Sequence, residues 1–531
     1  MRMPGSTKVR ATLALLLFGC ALRWALSSWA SPRTGAADPA RHALHDSGIL
    51  SYEVRDAQTQ KPIPAKLTFI GIRGTADPAL SPGDVGRPEG DAIAAYNRVM
   101  SSTGLGALHV PAGHYDIYVS RGLEWDSVRL SDVVIGSTPA TIRTELHHVL
   151  DTRGWISADF HVHSACSPDS RVSLRDRVYE FLSDGVDMIV ATDHNVVCDY
   201  APYIQELGAE SQLLSALGDE ITTAGWGHYG LFPMPQQLNR AGHGAVHVAG
   251  RNADEIFAHA RAEHPRALLT IHHPRIDAEI GYFNLAGFDS TLDRATREGF
   301  SFDFDALEVL NGYQDAERKH IDRAIHDWLS LLNFGHLITA TGNSDTHHLN
   351  YNIGGYPRNY VRVTDDSPLK ATPEEVAGSV RSHHSFFTTG PFIRMDIDGA
   401  DIGDLAPPRR AQPMLSVEVS AAPWVSVSRL ILYINGREAM RLPIPPSQKP
   451  TRLVRQIPLN LPPSQDAYVV VRVDGDQVLA PIVGDRSRFD VRPLLLTNPI
   501  FLDMNRNGRF DPQYSHGAHT PKKKRRWFGR R

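Results

Sequence analysis

Seven short apolar runs, at 155–160, 187–192, 213–218, 228–233, 267–272, 306–310 and 337–342, constrain the fold more than any other feature of the chain. Each is of strand length, and between several of them lie stretches with apolar residues at helical spacing: Leu174 to Leu182, Ala253 to Glu263 and Ala316 to Leu332. Thr372-Pro373-Glu374-Glu375 reads as a helix start, with Thr372 as the cap and Pro373 in the first turn. Strands alternating with helices predict a parallel α/β barrel. In such barrels chemistry sits at the carboxyl ends of the strands, and nearly every run here leads into histidine or acid. The first ends in His161-Val162-His163, with Asp169 soon after. Later clusters are Asp193-His194, Glu220, His228, His272-His273 and Asp345-Thr346-His347. Alternate residues of an extended chain point the same way, so both imidazoles of the first pair can reach one metal ion. Carboxylates at later strand ends can bridge to a second.

The 531 residues exceed one ordinary domain, and 42% hydrophobic with 21% charged residues describes a globular chain. On either side of the central pattern the sequence reads as strands and turns. Residues 48–150 are expected to form an accessory β-sandwich, with strands at 51–54, 65–70 and 115–119; a sugar-binding module is the sharper reading of the same segment. Residues 393–495 predict a second small sandwich, with strands at 415–419, 430–434 and 469–473 and a hairpin turn at Asn435-Gly436. The central domain then spans 151–392.

Both ends of the chain carry further signals. Arg2, Lys8 and Arg10 precede an apolar stretch from Ala11 to Leu22, and Ser28-Trp29-Ala30 offers a cleavage site. Residues 1–30 therefore predict an export signal followed by a linker at 31–47, and a periplasmic or extracellular protein. Leu17-Phe18-Gly19-Cys20 resembles a lipobox, which would instead anchor a lipid at Cys20. Within 496–531, Asp503-x-Asn505-x-Asn507-Gly508 begins like a calcium loop. Tyr514 stands where an EF-hand needs its bidentate Glu, so a complete EF-hand is excluded. A plain Asx-rich turn and a weak structural calcium site using Asp511 both fit. The basic run Lys522 to Arg526 is expected to be a solvated tail, with contact to an anionic envelope surface as the sharper reading. A formal net charge of −4 leaves no footprint for nucleic acid, so a small-molecule substrate is expected. Apart from Cys20, the cysteines are Cys166 and Cys198. The plainer reading is two unpaired core residues; a bond between them would clamp two loops at the mouth of the site.

The order of the clusters resembles the PHP (polymerase and histidinol phosphatase) metallohydrolase superfamily. The matching residues are His161-Val162-His163, Asp169, Thr192-Asp193-His194-Asn195, Gly218-Asp219-Glu220-Ile221 with His228, His273-Pro274 and Ser344-Asp345-Thr346-His347. Leu307-Glu308-Val309-Leu310-Asn311-Gly312 and Thr389-Gly390-Pro391 extend the likeness to the CehA/McbA-like branch. The resemblance implies a distorted seven-stranded (β/α) barrel and two or three divalent ions, zinc, manganese or iron. Its ligands would be His161, His163, Asp169, His194, Glu220, His228, His273, Asp345 and His347, with Glu220 bridging. It also implies attack by a metal-bridged hydroxide on a carbamate, ester or amide-type bond, a phosphoester being the alternative. His273 or His347 would protonate the leaving group. From its own chemistry, Arg275 either binds an anionic portion of the substrate through paired hydrogen bonds or forms a structural ion pair with Asp277 or Asp345. Asp193 is expected to orient His194 from behind, His272 is the alternative to His273 as ligand, and Asn311, Tyr313 and Asn343 are expected to face substrate. A different class of protein, a surface binding protein with an inactive barrel, is the remaining alternative.

Overall fold

Burial alternates along Ser47–Asp56, with Leu50, Tyr52 and Val54 turned inward, which is the mark of a strand with one face on a core. A computed structural model describes residues 47–514 except 82, 313–317, 351, 462–463 and 485–489. The export signal, the linker to residue 46, Tyr313 and the basic tail lie outside the described residues. Ser47–Asp56 lies between Leu105–Pro111 and, in parallel, Ala140–Leu146. A six-stranded sheet built around Ala65–Ile72 and Gly113–Ser120 faces this three-stranded one. Leu50, Val54, Leu67, Phe69, Val110, Ile117 and Ile142 from both sheets form one buried cluster.

In the central segment Trp155–Val162, Met188–Ala191 and Leu214–Leu217 pair in parallel. A second sheet runs Asp219–Thr222, His228–Phe232, Leu268–Ile271, Ala306–Asn311, Thr339–Asn343. The chain passes from one sheet to the other at Gly218, where a Cβ would come within 2.9 Å of Val190 Cγ1 and 3.0 Å of two backbone oxygens. Isolated bridges, Val162↔Thr346 and His194↔Glu220, link the two sheets at the strand ends. Each apolar run of the sequence is a strand, but the expected all-parallel arrangement is corrected. His228–Phe232 is antiparallel to both neighbours. Residues 223–227 are too few for a crossover, which needs about a dozen residues, so the chain can only turn back as a hairpin.

Helices Leu174–Ser183, Ala253–Glu263 and Pro373–Arg381 begin on the side-chain caps Ser173, Asn252 and Thr372. Arg358–Arg362, which sequence reasoning missed, pairs antiparallel with Trp155–Val162 and then with Ser385–Thr388. Through Leu494–Thr497 the same sheet continues into Ala467–Asp474, Arg429–Ile434 and Arg437–Pro443. The C-terminal strands therefore extend a central sheet across the expected boundary at 392. At the hairpin Asn435-Gly436 both residues take positive φ, 49° and 74°, as a type I′ turn requires.

Candidate metal centre

The ends of these strands bring seven imidazoles and three carboxylates together. His161 and His163 leave the first strand on the same side, and both are wholly buried. Glu220 is the hub. Its Oε1 lies 3.0 Å from His161 Nε2, 3.0 Å from His272 Nδ1, 3.3 Å from His228 Nδ1 and 3.4 Å from His273 Nε2. Its Oε2 lies 2.7 Å from His194 Nδ1 and 3.5 Å from His163 Nε2. Asp345 Oδ1 reaches His161 Nε2 at 3.2 Å, His163 Nε2 at 3.1 Å and His347 Nδ1 at 3.5 Å. Asp169, half exposed at the edge, meets His194 Nε2 at 3.2 Å and His347 Nε2 at 3.4 Å.

Three of the resulting groups have all their donor atoms within 4.8 Å of one another and share members: His161, His163 and Asp345; His194, Glu220 and His228; His163, Asp169, His194 and His347. A fourth joins His161, Glu220 and His272. The fit to a cation can be tested on the atoms themselves. His161 Nε2, His163 Nε2, Glu220 Oε2 and His228 Nδ1 are buried and make no well-formed hydrogen bond. Bonds of about 2.0–2.2 Å to one ion hold neighbouring donors about 3.0–3.5 Å apart, which is the spacing found. Orphaned buried atoms are costly, and a divalent cation satisfies several at once.

Electrostatics divides the imidazoles. Burial keeps His163 and His228 below the usual histidine range and pushes His272 down to about 4; these rings present lone pairs at neutral pH. Burial also opposes charge on His161 and His194, but there the carboxylates prevail. Asp345, Glu220 and Glu308 hold His161 well above its ordinary value, and Glu220 with Asp169 raises His194 to about 11.

The residues behind the ligands fix their direction. His161 Nδ1 lies 3.3 Å from both oxygens of Glu308, a wholly buried carboxylate that also accepts the His273 backbone N–H at 2.8 Å. Asn343 Nδ2 donates to Glu308 Oε1 at 3.4 Å; Asn311 Nδ2 lies 3.4 Å from Glu308 Oε2 and donates to Asp345 Oδ2 at 3.0 Å. His163 Nδ1 lies 2.8 Å from Ser167 Oγ, which in turn donates to Asp193 Oδ1 at 2.9 Å. Asp193 was expected to orient His194; it does so indirectly, tethering Ser164 and Ser167, and Ser167 Oγ meets the ring of His163 and accepts the His194 N–H at 3.1 Å. Asn195, His273 and Asp345 hold left-handed backbone, with φ of 53°, 27° and 52°. Such conformations cost energy in non-glycine residues and cluster where a site is built.

All nine expected ligands, His161, His163, Asp169, His194, Glu220, His228, His273, Asp345 and His347, come together here. His272 joins them, with the tighter contact to Glu220 of the two neighbouring histidines. Its ring stacks on His161 at 3.6 Å and is admitted by Gly230, where a Cβ would lie 2.2 Å from His272 Nε2. Glu308 was missed as a site residue, although it lay in a motif already singled out. Arg275 is not brought to the cluster. Its buried guanidinium pairs with Asp327 at 2.6 Å and donates to Asn284 and to the Phe288 carbonyl. Asn311 and Asn343 are wholly buried, the first on the ligand carboxylate Asp345 and the second on Glu308 behind His161. Cys166 and Cys198 are bonded, tying the loop after His163 to the loop after His194; the unpaired reading is corrected. In the 503–511 loop, Asp503 accepts the N–H groups of Asn507 and Gly508, and Asp511 accepts the amides of Asn505 and Asn507. The turn is thus held by its own hydrogen bonds.

No protein-family model matches the chain, and no curated protein matches it. Among solved structures it is similar to a two-domain protein containing a predicted PHP-like metal-dependent phosphoesterase from Bacteroides vulgatus. The identity is 18% over 65% of this chain and 96% of that one, with a TM-score of 0.36. It is also similar to the lesion-specific endonuclease PfuEndoQ from Pyrococcus furiosus, at 17% identity over 43% of this chain and 56% of that one, with a TM-score of 0.28. At these values neither likeness fixes the fold or the chemistry of this chain.

Proposed function

We propose that this protein is an exported metal-dependent hydrolase of the PHP type that cleaves a carbamate, ester or amide-type bond. One observation carries the reading: buried, orphaned imidazole nitrogens converge on Glu220 and Asp345 at the spacing of ligands around shared cations. In this reading the two central sheets, linked at Val162↔Thr346 and His194↔Glu220, are one distorted barrel of seven strands, counting 214–222 as one. Divalent cations would act as Lewis acids on the scissile carbonyl and bring the pKa of water to about 7.

The chain's own residues do the rest. Glu308 fixes the tautomer of His161, and Ser167 with Asp193 does so for His163, so that both Nε2 atoms face inward. Asp169, the most exposed member, marks the mouth, with His347 beside it in the same donor group. Among the described residues no Arg or Lys side chain pairs with Asp169, Glu220, Glu308 or Asp345, and Arg275 is turned to Asp327. Such a centre serves carbonyl and phosphoryl chemistry alike; the carbamate, ester or amide class is supported by the likeness of residues 307–312 and 389–391 to the CehA/McbA-like branch. Export is supported by the Cys166–Cys198 bond, since disulfides persist in oxidising compartments.

The test is a panel of p-nitrophenyl phosphate, bis-p-nitrophenyl phosphate, naphthyl carbamate and naphthyl acetate with Mn(II)- or Zn(II)-loaded protein. Turnover of the carbamate or acetate supports the reading. Phosphatase or phosphodiesterase activity alone would replace the substrate class, and no turnover with less than one metal per chain would revive the binding-protein alternative.

A further inference from the structure

We propose that the N-terminal β-layers are part of the catalytic apparatus: Asp84 and Arg98 position the segment 346–350, and with it His347. The inference rests on the metallohydrolase reading above. His347 belongs to the group with His163, Asp169 and His194, yet it sits on irregular chain with no ladder beyond the single bridge at Thr346. Something else must hold it in place.

From the central segment, buried Arg177 donates to the carbonyls of His163, Thr346 and His348 at 2.7, 2.9 and 3.0 Å. Asn352 Oδ1 accepts the His347 N–H at 2.9 Å, and Ser170 Oγ donates to the His347 carbonyl at 3.1 Å. These contacts secure one side of the segment. The other side is held from a part of the chain some 250 residues earlier. Asp84 Oδ2 lies 2.7 Å from His348 Nδ1, while its Oδ1 accepts Tyr96 Oη–H at 3.0 Å and the Leu349 N–H at 3.4 Å. Arg98, wholly buried, donates through Nη1 to the carbonyl of Asn350 at 2.7 Å and to its side chain, and through Nη2 to the carbonyl of Gly484 at 2.7 Å. Leu349 is buried against Ile93, Ala95 and Met100 of the same layers.

A buried guanidinium must keep its acceptors or bear its full desolvation penalty. Here two of the acceptors are main-chain carbonyls, so Arg98 fixes backbone position as well as the Asn350 side chain. The anchored atoms lie within three residues of His347. Neither Asp84 nor Arg98 touches a ligand atom, so both are positioning residues.

The experiment measures Mn(II) affinity and stoichiometry of the full chain by chelator competition for wild type, Asp84→Asn, Arg98→Met and Arg98→Lys. For Asp84→Asn and Arg98→Met, affinity for one equivalent is expected to fall about 10- to 100-fold, the usual effect of removing an outer support. The other equivalents should be unchanged, and Arg98→Lys should recover part of the loss. Folded variants with wild-type affinity for every equivalent, or with all equivalents weakened alike, overturn the proposal. Should Arg98→Met fail to fold, the exchange at Asp84, which removes one charge at a partly exposed position, decides the matter by the same criteria. A wild-type chain that binds no Mn(II) overturns the metallohydrolase reading itself, and this inference with it.

Discussion

Replacing Glu308 by Gln tests whether the carboxylate behind His161 sets the site's ligand chemistry. The side chain keeps its shape but loses its charge and exchanges one acceptor for a donor. The 2.8 Å contact from the His273 N–H demands that the amide oxygen take the place of Oε2. The amide nitrogen then faces His161 Nδ1, where a carboxylate oxygen stood at 3.3 Å. The oxygen retained at the Oε2 place still lies 3.3 Å from Nδ1, so the Nδ1–H keeps one acceptor but loses the other, together with the negative charge behind the ring whose Nε2 faces Glu220 and Asp345. The ring is then held less firmly and its Nε2 is a weaker donor to a cation. Outer-shell losses of this kind cost about 10- to 100-fold in metal affinity, or about 1.4–2.8 kcal/mol. Calorimetric titration with Zn(II) at pH 7 measures it, alongside circular dichroism to establish that the variant is folded. A folded Glu308→Gln protein with unchanged affinity for every equivalent would refute the reasoning.

Other expectations follow from single contacts. Arg275→Met should destabilise the fold by about 3–5 kcal/mol, because it strands the buried Asp327 carboxylate; urea titration measures this, while kcat/KM of the folded protein should be unaltered. Opening the Cys166–Cys198 bond removes a 32-residue closure and should cost about 3–4 kcal/mol; a Cys166→Ser/Cys198→Ser variant should show the lowered midpoint and no further response to reductant. Metal uptake should release protons. His161 and His194 have raised pKa values and so hold protons at pH 7 in the metal-free protein, whereas a cation needs them unprotonated. Affinity should therefore fall as pH falls, and titrations in buffers of different ionisation enthalpy should report about one or two protons released; no net release contradicts the charge assignment.

Much of the fold was legible because the strand signal is local. All seven runs from 155–160 to 337–342 became strands, since each is short, apolar and bounded by turn residues. What local pattern could not carry was direction. The five residues between Thr222 and His228 force a hairpin, but the apolar runs on either side look the same in a parallel or an antiparallel sheet. Arg358–Arg362 escaped notice because three of its five residues are Arg or Asn, and only the surrounding sheet accommodates them. In the site, histidines and acids at strand ends announced themselves, whereas Arg275 stayed open between substrate and an ion pair, because its spacing from His273 says nothing about which way a guanidinium turns. Its partner, Asp327, is neither of the two expected. Glu308 was hidden by its setting: an acid within the apolar run Ala306–Asn311 reads as a strand residue until the imidazole beside it is seen.

The most direct test of the account is the metal content of the purified full chain by mass spectrometry, set beside Glu220→Gln. The geometry predicts two or three divalent ions per chain in the wild type and a clear loss in the variant, because Glu220 contacts histidines of every donor group. A folded wild-type chain carrying less than one ion after incubation with Mn(II) or Zn(II), or a Glu220→Gln variant that retains the full complement, would contradict it.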